Sequence, residues 1–406
     1  MKVRKLTIDD VDLHQQPVLV RVDFNVPLRE EASGRRVVAD DTRIRAALPT
    51  LQKIVNEQGK AIVLSHLGRP KGKPDPRYSL APVAEHLQEL VEYPVQFVPH
   101  TRGPAVEEAV SKAVWGSVVV LENTRFEPGE TKNDPQLARD WASLASVFVN
   151  DAFGAAHRAH ASTVGVAQFV PVAAMGYLMK REVEFLLRVL EAPERPLLAI
   201  LGGAKVSDKL GVIKALLERV DGLLIGGAMA YTFLKALGYQ VGKSLVEEDW
   251  VETARELYQA AQGRILLPED HVAVRELREG AQKVIAVKNI PEGYMGVDIG
   301  PRTIERYREK ILGSRTALWN GPMGVFEIPD FARGTIEIAR ALAEVTEQGA
   351  LTVVGGGDSV AALVQFGYAD KVSHVSTGGG AMLEFIEKQA NGEWLPGIAV
   401  LTDKPE

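Results

Sequence analysis

The sequence predicts an α/β protein with two doubly wound, parallel-sheet (Rossmann-like) domains joined by a long helix. Short apolar runs rich in β-branched residues alternate with polar or glycine-rich breaks and with segments of helical periodicity. This alternation is typical of parallel strands covered by helices on both faces. The chain has 406 residues, a length that favours two hydrophobic cores over one.

Each half of the chain contains four predicted strands, each followed directly by polar residues or glycine. The runs of the first half are residues 17–25, 61–69, 117–126 and 147–154. The runs of the second half are residues 196–205, 222–230, 316–324 and 351–359. No close internal repeat relates the two series.

The segment between the two series predicts the joining helix, which we place at residues 177–191. Five apolar residues from Leu178 to Leu190 fall on one helical stripe, and the proline-containing stretch EAPERP ends the helix. The alternative is an ordinary crossover helix within one large domain.

Composition excludes several classes of protein. The net charge of −6 argues against a nucleic-acid partner, because such proteins neutralise phosphates with a basic surface. No apolar run approaches the roughly 20 residues that cross a bilayer, and the start MKVRKLTIDDVD turns acidic where a signal peptide becomes apolar. We expect no membrane association and a cytoplasmic location. The absence of cysteine excludes disulfides and thiolate metal sites and fits a reducing compartment.

Basic side chains collect at the predicted strand ends of the first half. Ligands of open parallel sheets bind outside the carboxyl ends of the strands, so these positions are candidates for binding. They are Arg21, Asp23, Asn25, His66, Arg69, Arg125, His157, Arg158 and His160. Guanidinium groups pair two-pronged with carboxylate or phosphate oxygens, so the set predicts a site for a compact acid. Taken singly, each arginine is better explained as a solvated surface residue, so the prediction depends on four of them lying at strand ends together with Asp23 and Asn25.

The stretch VNDAFGAAHRAH also suggests a metal site, because His157 and His160 are three residues apart and Asp151 is close. We favour an anion site there, since Arg158 between the two histidines adds positive charge and metal ligation requires neutral imidazoles.

Glycines dominate the strand ends of the second half. They are Gly202, Gly203, Gly226, Gly227, Gly321, Gly324, Gly355 to Gly357 and, after KVSHVST, Gly378 to Gly380. Glycine lets backbone N–H groups approach a ligand, and a following helix adds partial positive charge, so this edge suits nucleotide phosphates. A single pair of glycines after a strand is explained as well by packing or by a turn.

Two nucleotide-binding motifs are absent or incomplete. GYQVGKS (238–244) is one residue short of the P-loop pattern and follows a helical stretch rather than a strand. No Gly-x-Gly-x-x-Gly stands before an acidic residue about 20 positions later, which weakens a dinucleotide-dehydrogenase interpretation.

Asp358 and Ser359 follow the glycine run of residues 355–357. A carboxylate beside nucleotide phosphates is a candidate ligand for Mg²⁺, which keeps most of its waters. The alternative is that Asp358 and Ser359 cap the start of a helix.

Ten motifs follow one another along the chain: VRVDFNVP, DTRIRAALP, SHLGRP, LENTRF, VNDAFGAAHRAH, ILGGAKVSDK, WNGPMGVFE, VGGGDS, KVSHVSTGGG and LPGI. In these motifs and in their order the chain resembles the phosphoglycerate kinase family over essentially its whole length. One departure is Ser359, where the family commonly has threonine. We expect residues 29–40 to form a loop whose length varies in the family, and we assign no role to them.

The resemblance implies a glycolytic kinase that transfers a phosphoryl group reversibly between 1,3-bisphosphoglycerate and ADP, giving 3-phosphoglycerate and ATP with Mg²⁺. Matched motifs assign phosphoglycerate to Asp23, Phe24, Asn25, Arg43, His66, Leu67, Gly68, Arg69, Arg125 and Arg158. They assign the nucleotide to Lys205, Lys209, Gly296, Asn320, Glu327, Gly356, Gly357, Asp358 and Ser359, with Asp358 on the metal.

Phosphoryl transfer depends on positioning and on stabilising charge spread over the moving group. A helix starting near Lys205 would place Lys209 one turn on and on the same face, so that one lysine follows the moving phosphoryl and the other an adjacent phosphate. We expect Lys205 and Arg43 at the transition state, with the amides around Gly379 nearby.

The two substrates are expected on different domains. We expect residues 1–176 with a returning C-terminal segment, 391–406, to bind phosphoglycerate, and residues 177–390 to bind the nucleotide. In-line transfer then requires a hinge closure. The resemblance favours a monomer.

Two other functions compete at this stage. One is an NAD-dependent dehydrogenase on similar α/β domains, which would bind NADH. The other is a two-domain binding protein without catalysis, which would ignore ADP-dependent phosphoryl transfer.

Overall fold

The computed structural model describes residues 4–406, which divide into two compact units. Unit 1 comprises Met1–Val183 together with Gly392–Glu406, and unit 2 comprises Glu184–Asn391. No helix among residues 4–406 has both the length and the apolar character that crossing a membrane requires.

Unit 1 is built on a six-stranded parallel sheet. Its strands are β1 (Pro17–Arg21), β4 (Lys60–Leu64), β5 (Val95–Phe97), β6 (Ser117–Val120), β7 (Val147–Asn150) and β8 (Val172–Met175), and a two-stranded hairpin contains β2 (Leu28–Glu30) and β3 (Arg36–Val38). The sheet order is β5-β6-β4-β1-β7-β8. Strand β1 lies in the centre with four of its five residues buried, as a parallel strand covered on both faces requires.

Five helices accompany this sheet, and a sixth, short helix lies near the C-terminus. They are α1 (Thr42–Asn56), α2 (Ala81–Leu90), α3 (Pro104–Lys112), α4 (Pro135–Ala142), α5 (Tyr177–Glu191) and α13 (Pro396–Ala399). Helix α1 buries Ile44, Leu51 and Ile54, three positions at helical spacing that pack into the core of unit 1. Helix α5 has the bounds predicted from the sequence, and the division between the units falls inside it.

Unit 2 contains a second six-stranded parallel sheet and a small antiparallel one. The strands are β9 (Leu197–Leu201), β10 (Gly222–Ile225), β11 (Ile265–Leu266), β12 (Asp270–Val274), β13 (Val284–Val287), β14 (Met295–Ile299), β15 (Thr316–Asn320), β16 (Leu351–Gly355) and β17 (His374–Val375). The parallel order is β11-β10-β9-β15-β16-β17, and the antiparallel order is β13-β12-β14. In terms of chain order the parallel sheet reads 3-2-1-4-5-6, the doubly wound arrangement of nucleotide-binding folds.

The helices of unit 2 connect the strands of both sheets. They are α6 (Leu210–Leu217), α7 (Met229–Ala236), α8 (Val251–Ala260), α9 (Pro301–Leu312), α10 (Arg333–Glu347), α11 (Gly357–Gln365) and α12 (Gly379–Ala390). The core includes Trp319 from β15 and Tyr307 from α9. The Tyr307 hydroxyl is satisfied by donating toward the carbonyls of Ile225 and Leu266, at 2.6 and 2.9 Å.

The eight strands predicted from apolar runs are all present, and the predicted α/β class with two parallel sheets is confirmed. The antiparallel sheet was not predicted. The expectation of a loop over residues 29–40 was wrong, because most of this segment belongs to the β2–β3 hairpin, in which Leu28 lies opposite Val38.

The C-terminal segment returns to unit 1, as expected. The Gly397 N–H donates to the Ala156 carbonyl at 2.8 Å, and the Thr402 N–H donates to the Ala173 carbonyl at 2.9 Å. These bonds attach the chain end to β8 and to the loop that follows β7.

Candidate active site

In unit 1 the loops after β1, β4 and β7 start side by side. Arg21, the last residue of β1, is in register with Leu64 of β4 and with Asn150 of β7. Because the three strands are parallel, their carboxyl ends lie at one edge of the sheet. Most of the predicted substrate residues follow these strands.

The loop after β1 positions Arg43 of α1. The Asn25 N–H donates to Asp23 Oδ1 at 3.1 Å, and Arg43 Nη1 donates to the same oxygen at 3.3 Å and to the Asn25 carbonyl at 2.8 Å. Phe24 between them is buried, and its N–H donates to Ser65 Oγ at 2.9 Å. The loop therefore holds the Arg43 guanidinium at the sheet edge.

The loop after β4 requires glycine at position 68. Gly68 has φ +59°, and a Cβ there would lie 2.5 Å from the Tyr78 ring. Its N–H donates to Asn25 Oδ1 at 2.9 Å, so the β1 and β4 loops are joined. The neighbouring Leu67 is buried and donates its N–H to Asn123 Oδ1 at 3.3 Å.

Arginines surround this loop. Arg125, which follows β6, donates from Nη1 to the Gly68 carbonyl at 3.0 Å. Burial lowers its pKa, and the nearby cations Arg21, Arg158 and Arg69 lower it further, against the raising effect of Glu130. Arg69 and Arg158 themselves are exposed. Mutual repulsion of this kind favours a bound polyanion, which relieves it.

The two buried histidines of this edge are neutral. Burial, followed by the charge of Arg21 and other cations, holds the pKa of His66 well below its usual value. Burial also lowers the pKa of His160, to about 4. Neutral imidazoles can form hydrogen bonds but add no charge to this edge.

Asp151, the acid of the alternative metal site, has another role. Its Oδ1 accepts from the N–H groups of Leu178 and Met179, at 2.9 and 3.3 Å, in the first turn of α5. Burial raises its pKa to about 7. Gly176 is required beside it, because a Cβ there would lie 2.2 Å from Asp151 Oδ1. The carboxyl group therefore caps the joining helix.

In unit 2 the strand order of the parallel sheet reverses between β9 and β15. This position is the topological switch point of the sheet. Leu201 ends β9 in register with Asn320, which ends β15. Connections leave in opposite directions from these two strands, and the crevice that this creates is the usual ligand site of doubly wound sheets. The loops with Lys205, Lys209 and Asn320 lie there.

The predicted helix starting near Lys205 is wrong, because α6 begins only at Leu210. Val206 is fully buried and its carbonyl accepts the Lys209 N–H at 3.0 Å, which closes a turn. Ser207 donates its N–H to Glu247 Oε1 at 3.1 Å. These contacts hold residues 203–209 as a loop, so the two lysines do not share a helical face.

The two lysines occupy different environments. Lys205 is exposed, whereas Lys209 Nζ donates to Asn320 Oδ1 at 2.6 Å. Burial lowers the pKa of Lys209 to about 8, and the nearby carboxylates of Asp208 and Asp358 oppose that effect.

Several glycines pack loops together rather than offering N–H groups to a ligand. The amides of Gly202, Gly203 and Gly227 donate to the carbonyls of Asn320, Pro322 and Met323, at 2.9, 3.1 and 3.0 Å. A Cβ on Gly202 would lie 2.0 Å from the Pro322 oxygen. For these positions the packing explanation is correct and the expectation of ligand-facing amides was wrong.

The start of α11 and the start of α12 offer the unbonded amides instead. First-turn N–H groups of a helix have no partner within the helix and carry its positive end. The two helix starts are adjacent, since a Cβ on Gly379 would lie 3.7 Å from Gly356 Cα. Asn320 Nδ2 is buried beside them without a hydrogen-bond partner among residues 4–406. We call the two helix starts, at Gly357 and Gly379, together with Asn320 the cradle. Its N–H groups suit phosphate oxygens.

Asp358 and Ser359 have different environments in the structure, one exposed and the other buried. Gly356 occupies the cap position of α11, with φ +95° and no side-chain cap bond, so Asp358 is not a cap and its carboxylate is exposed. Ser359 is fully buried, and its Oγ accepts the Gly321 N–H at 2.6 Å. Ser359 therefore fixes the loop after β15.

Gly296 and Glu327 lie outside this cradle. The Gly296 N–H donates to Ser244 Oγ at 2.9 Å, and a Cβ would lie 2.1 Å from Tyr231 Oη, so the position admits only glycine. Glu327 is exposed in the loop after β15.

Three buried residues that support this edge of the unit 1 sheet were not predicted from the sequence: Asn123, Glu130 and Ser162. Asn123 begins the TRF turn before Arg125, and its Oδ1 accepts the Arg125 N–H at 2.9 Å. Glu130 and Ser162 bond to each other 32 residues apart, and no local sequence pattern indicates such a pair.

Among residues 4–406 there is no group of three or more His, Asp or Glu side chains that would hold a metal ion. Asp358 at the cradle is a single carboxylate. It fits Mg²⁺ that takes its other ligands from phosphate oxygens and water, the usual arrangement for nucleotide-bound magnesium.

Comparisons with known proteins agree along the whole chain. Residues 8–389 match the family model described as phosphoglycerate kinase. The chain is 57% identical over 401 residues to a phosphoglycerate kinase of Salinibacter ruber, covering 99% of this chain and 100% of the relative. It is 53% identical over 407 residues to one of Thermosipho africanus, covering 99% of each. The solved phosphoglycerate kinase of Coxiella burnetii superposes with a TM-score of 0.87 at 40% identity, covering 98% of each chain.

Proposed function

This chain belongs to the phosphoglycerate kinase family, and from that membership we infer its reaction. It is a glycolytic kinase that transfers a phosphoryl group reversibly between 1,3-bisphosphoglycerate and ADP, giving 3-phosphoglycerate and ATP. The observation that carries this conclusion is the family match over nearly the full length of the chain at 57% identity. The dehydrogenase and the binding protein without catalysis are excluded by it.

We assign phosphoglycerate to the basic edge of unit 1. The assignment is supported by the arginines around Gly68, by the fixed position of Arg43 on Asp23, and by the neutral His66. Each guanidinium pairs with phosphate or carboxylate oxygens. The predicted residues from Asp23 to Asn25 and from His66 to Arg69, with Arg125 and Arg158, make up this site.

We assign the nucleotide phosphates to the cradle of unit 2. Its support is the adjacent starts of α11 and α12, the unpartnered Asn320 Nδ2 and the half-buried Lys209, which donates to Asn320. Lys205, Gly296, Glu327 and the run from Gly356 to Ser359 complete the proposed nucleotide site. Asp358 would hold Mg²⁺, which when bound neutralises phosphate charge.

The transferring group needs positive charge that is not already committed to the resting nucleotide. Lys205 is exposed and forms no hydrogen bond or ion pair within residues 4–406, so its ammonium is available to follow the moving phosphoryl. Arg43 from the substrate side and the N–H groups at Gly379 are proposed to share the charge that spreads over the phosphoryl oxygens.

We propose that the two units close during the reaction. The acid and the nucleotide are assigned to different units, whereas in-line transfer brings the reacting atoms to about 3–3.5 Å in a site that excludes water. The expected pivots are the ends of α5 and the C-terminal segment near residues 395–400. Small-angle scattering tests this: the radius of gyration should fall only when both substrates are bound, and an unchanged radius would contradict closure.

The remaining assignments follow from the reaction. We propose that residues 1–176 with 391–406 bind phosphoglycerate and that residues 177–390 bind ADP or ATP. A cytoplasmic monomer that binds neither nucleic acid nor membrane is proposed from the negative net charge and from the place of the reaction in glycolysis.

A coupled assay of ATP formation from 1,3-bisphosphoglycerate and ADP tests the function directly. Turnover that depends on Mg²⁺ and on both substrates is expected. NADH binding without ADP-dependent turnover would contradict the assignment.

A further inference from the structure

A chain of buried polar groups lies beneath the substrate edge of unit 1. It runs from Glu130 through Ser162 and Arg21 to His66. The first three are 0% exposed and His66 is 8% exposed. Burying a guanidinium and a carboxylate costs free energy unless each is bonded, so the chain calls for an explanation beyond packing.

Only one direction of hydrogen bonding is possible at the histidine. Arg21 Nη2 lies 3.0 Å from His66 Nδ1. A guanidinium has only donors, so Nδ1 must be the acceptor and carries no proton. The low pKa of His66 keeps the ring neutral, and its single proton is therefore on Nε2.

The same reasoning assigns the donor and the acceptor of each remaining hydrogen bond, from Arg21 through Ser162 to Glu130. Arg21 Nε donates to Ser162 Oγ at 2.8 Å, so the Ser162 hydroxyl must turn its own proton elsewhere. It donates to Glu130 Oε2 at 2.7 Å, while Glu130 Oε1 accepts the Ser162 N–H at 2.8 Å. Both carboxyl oxygens of Glu130 therefore act as acceptors toward Ser162.

We propose that Glu130 and Ser162 are positioning residues which, through Arg21, hold His66 with its proton on Nε2 and so present an N–H donor to the bound phosphoglycerate. Within residues 4–406 nothing hydrogen-bonds to His66 Nε2. His66 is 8% exposed and lies two residues before Gly68, whose carbonyl accepts from Arg125 at the proposed anion site. The role assigned to phosphoglycerate rests on the proposed function, whereas the tautomer does not.

Nitrogen NMR of the ligand-free enzyme with ¹⁵N-labelled histidine tests the tautomer. The His66 signals are identified by their loss in His66→Phe. We expect wild-type His66 to be neutral at pH 7 with Nε2 protonated and Nδ1 unprotonated. A proton on Nδ1, or a charged ring at pH 7, would overturn the proposal even if no variant folds.

Two variants interrupt the series of hydrogen bonds between Glu130 and His66. Ser162→Ala removes the link between Arg21 and Glu130, and Glu130→Gln replaces one of the two acceptors with a donor that meets the Ser162 N–H or Oγ. We expect both to give a mixture of His66 tautomers and to raise KM for 3-phosphoglycerate roughly tenfold, with KM for Mg·ATP unchanged. Unaltered His66 signals and KM in both variants would overturn the proposal.

Ser79→Ala is the matched control. Ser79 Oγ donates to Glu122 Oε2 at 2.7 Å, and Glu122 Oε1 accepts the Leu80 N–H at 2.8 Å, so the bonds are of the same kind without an arginine attached. It should lose a similar amount of stability and leave the His66 signals in place. If it mixes the tautomers equally, the effect is general loosening and the proposal fails.

The two proposals fail in different ways. If wild-type His66 has the expected tautomer but its signals do not shift on adding 3-phosphoglycerate, the substrate assignment is wrong. The proposal that Glu130 and Ser162 fix the His66 tautomer through Arg21, the tautomer relay, is then still supported. If the signals shift but the tautomer is the other one, the relay is wrong and the substrate assignment stands.

Discussion

The anion sites that we propose for the two units are built from different chemical groups, although both units contain a six-stranded parallel sheet. The edge of unit 1 uses side chains: arginines held by carbonyls and carboxylates, as Arg43 is held by Asp23 and Asn25. The cradle of unit 2 uses the starts of two helices, the half-buried Lys209 and the exposed Lys205. Side-chain forks suit a ligand whose shape must be recognised, whereas backbone amides suit phosphates common to all nucleotides.

The difference between the two sites predicts how strongly a single substitution in each unit will change the kinetic constants. In unit 1 the positive charge is distributed over several guanidinium groups, so the loss of one leaves others. In unit 2 few mobile charges are present, so each one matters more. Variants on the two sides should therefore differ in size of effect and in which kinetic constant they change.

The largest effect is expected for Lys205→Ala. Its charge is assigned to the moving phosphoryl, so turnover should fall on the order of 10²- to 10³-fold while ADP affinity changes little. Lys214→Ala, an exposed lysine on α6, is the control and should be near wild type. Normal turnover with only a raised KM for ADP would show that Lys205 holds the resting nucleotide instead.

Arg125→Ala should act on the other substrate. Removing a guanidinium that bonds an anion should raise KM for 3-phosphoglycerate on the order of 10- to 100-fold, with Mg·ATP binding unchanged. Arg45→Ala removes an exposed arginine of α1 paired with Asp41 at 3.0 Å and should do neither. Equal loss of nucleotide affinity in calorimetry would contradict the division of labour between the units.

The half-buried Lys209 of unit 2 predicts a pH dependence that unit 1 lacks. Lys209 has a pKa of about 8 in the free protein, and nucleotide phosphates favour its charged form. Its charge is therefore present below pH 8 and lost above it, so ADP affinity should fall roughly tenfold between pH 7 and pH 9.

Lys209→Arg supplies the comparison, because arginine keeps its charge throughout this range. Calorimetric titration of ADP into this variant should give affinities that do not change with pH. A flat profile in the wild-type enzyme would mean that Lys209 remains charged or does not contact phosphate.

How much of this arrangement is readable from the sequence depends on the range of the interactions. The central strands were predicted because Val18 to Val20 and similar runs are buried on both faces. The edge strand Val95–Phe97 is three residues long and only partly buried, so it has no comparable pattern.

Within the candidate site, residue types were predicted better than their roles. Lys205 was placed on a helix because the spacing permits one, yet the burial of Val206 and the bond from Ser207 to Glu247 hold a loop there. Gly202 was expected to offer its amide to phosphate, yet the amide bonds Asn320. These outcomes depend on contacts far along the chain, which local sequence does not encode.

The smallest predicted effect concerns Ser359. Its buried Oγ accepts the Gly321 N–H at 2.6 Å, and Gly321 adjoins Asn320, the partner of Lys209. Ser359→Ala leaves that N–H without an acceptor, which should lower the free energy of unfolding by about 1–3 kcal/mol and raise KM for ADP several-fold by loosening the loop. Ser359→Thr keeps the hydroxyl and should stay within about twofold of wild type in KM.

Urea unfolding and initial-rate kinetics on both variants check this. Because unit 1 does not depend on the Gly321 loop, KM for 3-phosphoglycerate should be unchanged; an equal rise in both KM values would show that the two anion sites are not independent.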